Sequence, residues 1–190
     1  MVLYDNKKTL CCLDNHSKIK TRGKNLIMKS RQIKELTKMA VTAAVYVVLC
    51  YAFAFMSYGL IQFRIAEILL ILTIYNKKYC IPVILGTFIA NMLNGAYDMI
   101  FGTLATVLVL LIIILVNNKP VNKIIIAPIA AIINGVIIGL MLFYIFKVPY
   151  ALWFCMASVA IGEFAVVLVG VLVFHTIERT NKKFIDLLKD

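Results

Sequence analysis

Acidic residues are scarce in this 190-residue chain: nine Asp and Glu stand against twenty Lys and Arg, a formal net charge of +11. Charge of either sign makes up only 15% of the residues, whereas 63% are hydrophobic. That balance excludes a water-soluble domain and points to an all-α integral membrane protein. Histidine is limited to His16 and His175, too few for a metal site. His175 and Glu178, one helical turn apart at an expected membrane exit, read as a solvated or headgroup-facing pair. Five cysteines (Cys11, Cys12, Cys50, Cys80, Cys155) form no CxxC motif and no His/Cys cluster, so they read as small packing residues. No GxxxxGK[ST], HExxH or GxSxG occurs. If ATP drives this protein, another polypeptide hydrolyses it. The excess of positive charge lies before the first apolar run or in short connections, which is a topology signal and not a nucleic-acid-binding stripe.

What is present is a series of apolar runs. The first, Ala40 to Ser57, is long enough to cross a hydrocarbon core of about 30 Å. The second, Ile65 to Tyr75, is short, so it borrows Gln62 to Arg64 or lies short and tilted. The third starts with Pro82 in its first turn and runs through Gly86, Asn91 and Asn94 to Gly95. The fourth, Met99 to Asn117, opens on Asp98 as a helix N-cap. The fifth spans Ile124 to Phe146 and the sixth Tyr150 to His175. With the N-terminus inside, the inside connections hold Lys77, Lys78, Lys119, Lys123, Arg179, Lys182 and Lys183, and the outside ones only Arg64 and Lys147. This predicts a six-transmembrane-helix bundle with both termini cytoplasmic. Its expected parts are a basic, disordered extension over 1–29, a membrane domain over 30–178 and a cytoplasmic tail over 179–190. Met28 opens MKSRQIKELTKMA, an amphipathic start, so translation begins at Met1 or at Met28.

A carboxylate at membrane depth costs several kcal/mol unless it meets a partner, a cavity or a ligand. Glu67, Asp98 and Glu163 all lie within or at the edge of apolar runs. The expected topology gathers them with Gln62, Arg64, Asn91, Asn94 and Asn134 into a polar cup open to the exterior. Arg64 and Glu67, at i and i+3, pair with each other or with a ligand. Asp98 is a cap or a ligand. Glu163 has no basic residue at its own depth in the sequence, so a ligand, a proton or a polar neighbour such as Asn134 compensates it. Asn91, Asn94 and Asp98 share a face if the helix runs on, but Gly95 favours a break. Of the aromatics at the outer end, most belong to an interfacial belt; Tyr97 and Trp153 are the candidates to stack on a flat ligand. Ala40 and Ala44 form a small-residue patch suited to docking another helix, and Gly135 and Gly139 form a second one. Each patch reads equally as packing within the bundle.

The segments GLIQFRIAEILLIL, GTFIANMLNGAYDMIFGTLATVL and IGEF, with the AxxxA pair of the first helix, resemble the QueT family of substrate-binding (S) components of energy-coupling-factor (ECF) transporters. The resemblance covers about residues 30–178, and its most characteristic parts are QFRIAE and the stretch from Ile89 to Thr106. It implies uptake of a queuosine precursor, a 7-deazaguanine in its 7-cyano or 7-aminomethyl form. It also implies capture on the outer face of the cell membrane, and partnership with a transmembrane scaffold subunit and two ATPase subunits. The scaffold would meet Ala40 and Ala44. No cofactor is implied. The long basic N-terminus departs from the family pattern.

The chemistry of the residues agrees with that resemblance. A guanine-type edge presents an N1 proton and a 2-amino group that one carboxylate accepts together, a role that falls to Glu163. An aminomethyl cation seeks a second carboxylate, Asp98 or Glu67, and the 6-oxo group a donor from Asn91, Asn94 or Asn134. Other readings are an S component for another flat vitamin, a proton-coupled carrier relaying through Glu67, Asp98 and Glu163, and an intramembrane enzyme. The outward position of the polar groups argues against the carrier. The lack of a nucleophile–base pair argues against the enzyme.

Overall fold

The structure, a computed structural model, describes residues 28, 30, 32–57, 62–92, 94–116 and 123–189. The expected extension over 1–29, Met28 apart, therefore lies outside the described residues. Residues up to Met39 form one unit and Ala40–Asp190 a second. In the first, residues 32–39 are helical, and the Thr37 hydroxyl donates to the Ile33 carbonyl.

The second unit is helical throughout most of its described residues. Helix α1 covers residues 40–52, and after a turn at Phe53 the short α2 follows (Ala54–Ser57). A 3-10 segment, Ile65–Ile71, runs directly into α3 (Leu72–Tyr75). Then come α4 (Cys80–Met92), α5 (Ala96–Val116), α6 (Ile126–Tyr144), α7 (Leu152–Thr180) and α8 (Lys182–Lys189). Among the described residues, three helical stretches are long and apolar enough to cross a membrane: Ala96–Val116, Lys123–Tyr144 and Leu152–Thr180.

The bundle turns hydrocarbon outward. Along α5 the exposed side chains are Ile100, Leu104, Leu108, Leu111 and Leu115, at helical spacing on one face. The opposite face buries Gly102, Ala105, Thr106, Val109, Leu110 and Ile113. Buried polar residues include Gln62, Arg64, Glu67, Thr87, Asn91, Asn134 and Glu163. Lipid solvates the outer face, so polar groups are tolerable only inside, where each needs a partner.

Of the two forms expected for the second apolar run, the structure shows the short one. Residues 62–64 are non-helical, so the run borrows nothing from Gln62 to Arg64. Seven 3-10 residues and four α residues rise only about 20 Å, short of a membrane's thickness. The segment is instead packed inside the bundle, with Ala66, Glu67, Leu70, Ile71, Leu72 and Thr73 all buried. Glycines in α7 make room for it. A Cβ on Gly162 would stand 2.4 Å from the Gln62 carbonyl oxygen, and one on Gly170 would stand 2.7 Å from Ile71 Cδ1.

Gly135 and Gly139 have a similar use. Cβ atoms there would collide with Ala160 and Met156 of α7, so this patch packs inside the bundle. Ala40 and Ala44, by contrast, are exposed. At the end of the bundle where α4 and α6 begin, Lys123 Nζ lies 2.5 Å from Glu178 Oε2 and 3.3 Å from the Tyr75 hydroxyl. Glu178 thus pairs with Lys123, on another element. At the same end α8 buries Ile185 and Leu188 against Ile71, Leu72, Tyr79, Val171 and Phe174, so residues 182–189 form a docked amphipathic helix. Cys50, Cys80 and Cys155 are free and buried, as packing residues should be.

Candidate binding site within the helix bundle

The buried polar residues meet at the other end, where α4 finishes and α5 and the 3-10 segment start. Glu67, fully buried, accepts a hydrogen bond from the Tyr46 hydroxyl at 2.7 Å. Gly86 on α4 allows this: a Cβ there would lie 2.7 Å from Tyr46 Cβ and 2.9 Å from its Cγ, so only glycine lets the tyrosine lie flat against that helix. Arg64, 4% exposed, donates through Nη2 to Asn91 Oδ1 at 2.5 Å. Asn134 donates through Nδ2 to Glu163 Oε1 and to the Ala130 carbonyl, both at 3.2 Å. Glu163 lies within electrostatic reach of both Glu67 and Arg64.

Two expectations change at this cluster. Arg64 does not form an ion pair with Glu67, because its guanidinium turns to the amide of Asn91. Glu163 does have a basic residue nearby: Arg64 comes from a non-helical segment that the tertiary fold carries to the depth of α7, a placement that sequence depth alone does not reveal.

Several atoms of this cluster have no partner. Arg64 Nη1, Glu67 Oε2, Asn91 Nδ2 and Asn134 Oδ1 are buried and unbonded among the described residues. An unsatisfied buried polar atom costs roughly 1–3 kcal/mol. Four of them amount to much of a domain's usual net stability of about 5–15 kcal/mol. Two are donors and two are acceptors, which is the complement of a polar heterocycle carrying both kinds of edge. Among the described residues no group of His, Cys, Asp or Glu could hold a metal ion.

The fold therefore brings Glu67, Asn91, Asn134 and Glu163 together and leaves the other candidates at the margin. Asn94 donates back to the Ala90 carbonyl at 3.3 Å. Asp98 is not the N-cap. Gly95, at φ +117°, turns the chain so that α5 already begins at Ala96, with the Met99 amide bonded to the Gly95 carbonyl. Asp98 lies in the first turn, where a carboxylate faces free amide ends, half-buried and within electrostatic reach of Arg64. Tyr97 and Trp153 are 54% and 72% exposed and meet other aromatics, Phe146 and Phe154 respectively.

Sequence reasoning missed Tyr46, Gly102 and Gly162. A lone tyrosine inside an apolar run was the available sign for the first, since a buried hydroxyl needs a partner. Glycines within apolar helices were the sign for the other two.

An all-helical membrane protein that encloses an incompletely satisfied polar site within its bundle is the class these features define. The sequence profile of the QueT transporter family matches residues 36–179, and the chain belongs to that family. It is 31% identical over 165 residues to a protein of Lactococcus lactis subsp. cremoris (strain MG1363) named Queuosine precursor transporter QueT, with 80% of this chain and 96% of the relative covered. No solved structure matches the chain significantly. Family membership places the protein among membrane transporters and not among enzymes.

Proposed function

We propose that this protein is the substrate-binding S component of an ATP-driven ECF importer and binds a queuosine precursor, a 7-deazaguanine, at the buried cluster. The observation that carries the reading is the set of four unpartnered atoms, two donors and two acceptors, in a bundle of the QueT family. The name of the Lactococcus relative supplies the substrate class. In this reading Glu163, held by Asn134, accepts the N1 proton and the 2-amino group. Glu67, held by Tyr46, faces the substituent at position 7. Two carboxylates against one guanidinium leave the site short of positive charge, so the aminomethyl cation suits it better than the neutral cyano group.

The arrangement in the bacterial plasma membrane follows from charge. Lys77, Lys78, Lys123, Arg179, Lys182 and Lys183 lie at the end of the bundle away from the cluster, which supports a cytoplasmic location for that end and an outward-facing site. Six passes over residues 30–178, the second a short one packed inside the bundle, with both termini inside and a cytoplasmic tail over 179–190, complete the topology. The exposed Ala40 and Ala44 are the face offered to the scaffold subunit, and two ATPase subunits supply the energy. Titration calorimetry of the purified protein with 7-aminomethyl- and 7-cyano-7-deazaguanine, with guanine, riboflavin and thiamine as comparators, tests the reading. Submicromolar binding of the 7-deazaguanines, tighter for the amine, is expected. Preference for a comparator withdraws the substrate.

A further inference from the structure

Gly102 lies where α5 passes the Arg64–Asn91 pair. A Cβ on Gly102 would stand 2.4 Å from Asn91 Nδ2 and 3.4 Å from Arg64 Nη1. These are the two buried donors that lack partners. Both therefore lie against Gly102, which has no side chain to push them aside, and one of them belongs to a cation. The pair is also internally fixed. Arg64 Nη2 holds Asn91 by its carbonyl oxygen, so the NH2 group is the end of the amide turned to Gly102. No acceptor among the described residues answers them: the nearby Thr106 hydroxyl is turned back to the Gly102 carbonyl at 3.1 Å.

We infer that Arg64 Nη1 and Asn91 Nδ2, over Gly102, form a subsite for a carbonyl oxygen of the ligand. The inference rests on the reading that a flat lactam heterocycle binds this cluster, and it names the group that recognises its ring oxygen. Of the three asparagines that sequence offered for this task, Asn94 spends its amide on Ala90, and Asn134 spends its amide on Glu163 and Ala130 and leaves only an acceptor free. Asn91 alone of the three has a buried amide nitrogen with no partner, and Arg64 adds a charged donor. A carbonyl oxygen has two lone pairs and fits two converging donors. Gly102 is then a positioning element, because a Cβ there, 2.4 Å from Asn91 Nδ2, would push the donating amide out of place.

Calorimetry with two ligands tests this: 7-aminomethyl-7-deazaguanine and its analogue with hydrogen in place of the 6-oxo group. Losing a charge-assisted hydrogen bond is worth roughly one to two decades of affinity, and the analogue also loses the N1 proton that Glu163 accepts, so the unchanged protein should prefer the oxo ligand by at least about ten- to hundred-fold. Gly102→Ala should weaken the oxo ligand and leave the analogue nearly unaffected, which lowers the ratio by about ten- to hundred-fold. Arg64→Lys, which keeps the charge but not the fork, should lower the ratio as well, and it stands in if the alanine variant does not fold. A ratio preserved in the variants, or equal weakening of both ligands, overturns the subsite and makes Gly102 a packing residue. Equal affinity of the unchanged protein for both ligands overturns the subsite while the substrate reading survives. Failure to bind either ligand overturns both.

Discussion

At the scale of single residues, the site is a set of carboxylates and amides that enter hydrogen bonds on one side and leave atoms free on the other. Glu163 illustrates the principle. Its Oε1 is occupied by Asn134, which fixes the plane of the carboxylate before any ligand arrives. Changing Glu163 to Gln replaces an acceptor by a donor that faces ligand N–H groups. The expected loss is about 2 kcal/mol or more, or roughly thirty-fold in affinity. Titration calorimetry measures it, and an unchanged dissociation constant removes Glu163 from the site. Arg64 and Asn91 show how a residue's role depends on its partner. The same arginine that looks like half of a local ion pair in QFRIAE becomes a donor to another helix once α4 is brought alongside.

At the scale of elements, the short 3-10 segment is the part on which the site depends. It carries Glu67, follows Arg64 and is too short to be a full span, so its position is set by its neighbours. Gly162 is the closest of these, immediately before Glu163 in α7. Gly162→Ala places a methyl group 2.4 Å from the Gln62 carbonyl, so the segment must move off α7. The expected cost is about 1–3 kcal/mol, read as a lower melting temperature in detergent together with weaker ligand binding. Unaltered melting and binding would show that residues 62–67 are not held by this contact. The Lys123–Glu178 pair at the opposite end, with both side chains partly exposed, contributes at most about 1 kcal/mol.

At the scale of the whole molecule, charge and chemistry separate the two ends. One end gathers lysines and the docked α8. The other encloses the acceptors and donors. Nothing in the sequence supplies an ATPase motif, so the proposed importer needs other polypeptides for its energy supply. The protein alone in lipid vesicles should bind a 7-deazaguanine without accumulating it. Accumulation in vesicles should require a scaffold subunit, two ATPase subunits and internal ATP, and should persist with a proton ionophore present. Ionophore-sensitive accumulation by the protein alone would replace the importer by a proton-coupled carrier.

Composition by itself determined that this is a membrane protein, and its long uninterrupted apolar runs that the spans are helices, because barrel strands alternate instead. The periodic runs located the long helices α5, α6 and α7 to within a few residues, since an apolar stretch of that length has one stable form in lipid. Buried carboxylates were legible for the same reason: Glu67 and Glu163 in apolar surroundings require company wherever they lie. Who keeps that company was decided only by the tertiary structure. Tyr46 reaches Glu67 because Gly86 lets it lie against α4. Arg64 passes over its near neighbour Glu67 for Asn91, whereas the Asn134–Glu163 bond is a pairing the sequence had already offered. Such pairings depend on close approaches between helices far apart in sequence. Those approaches are permitted by single glycines whose missing side chains leave no periodic trace to read.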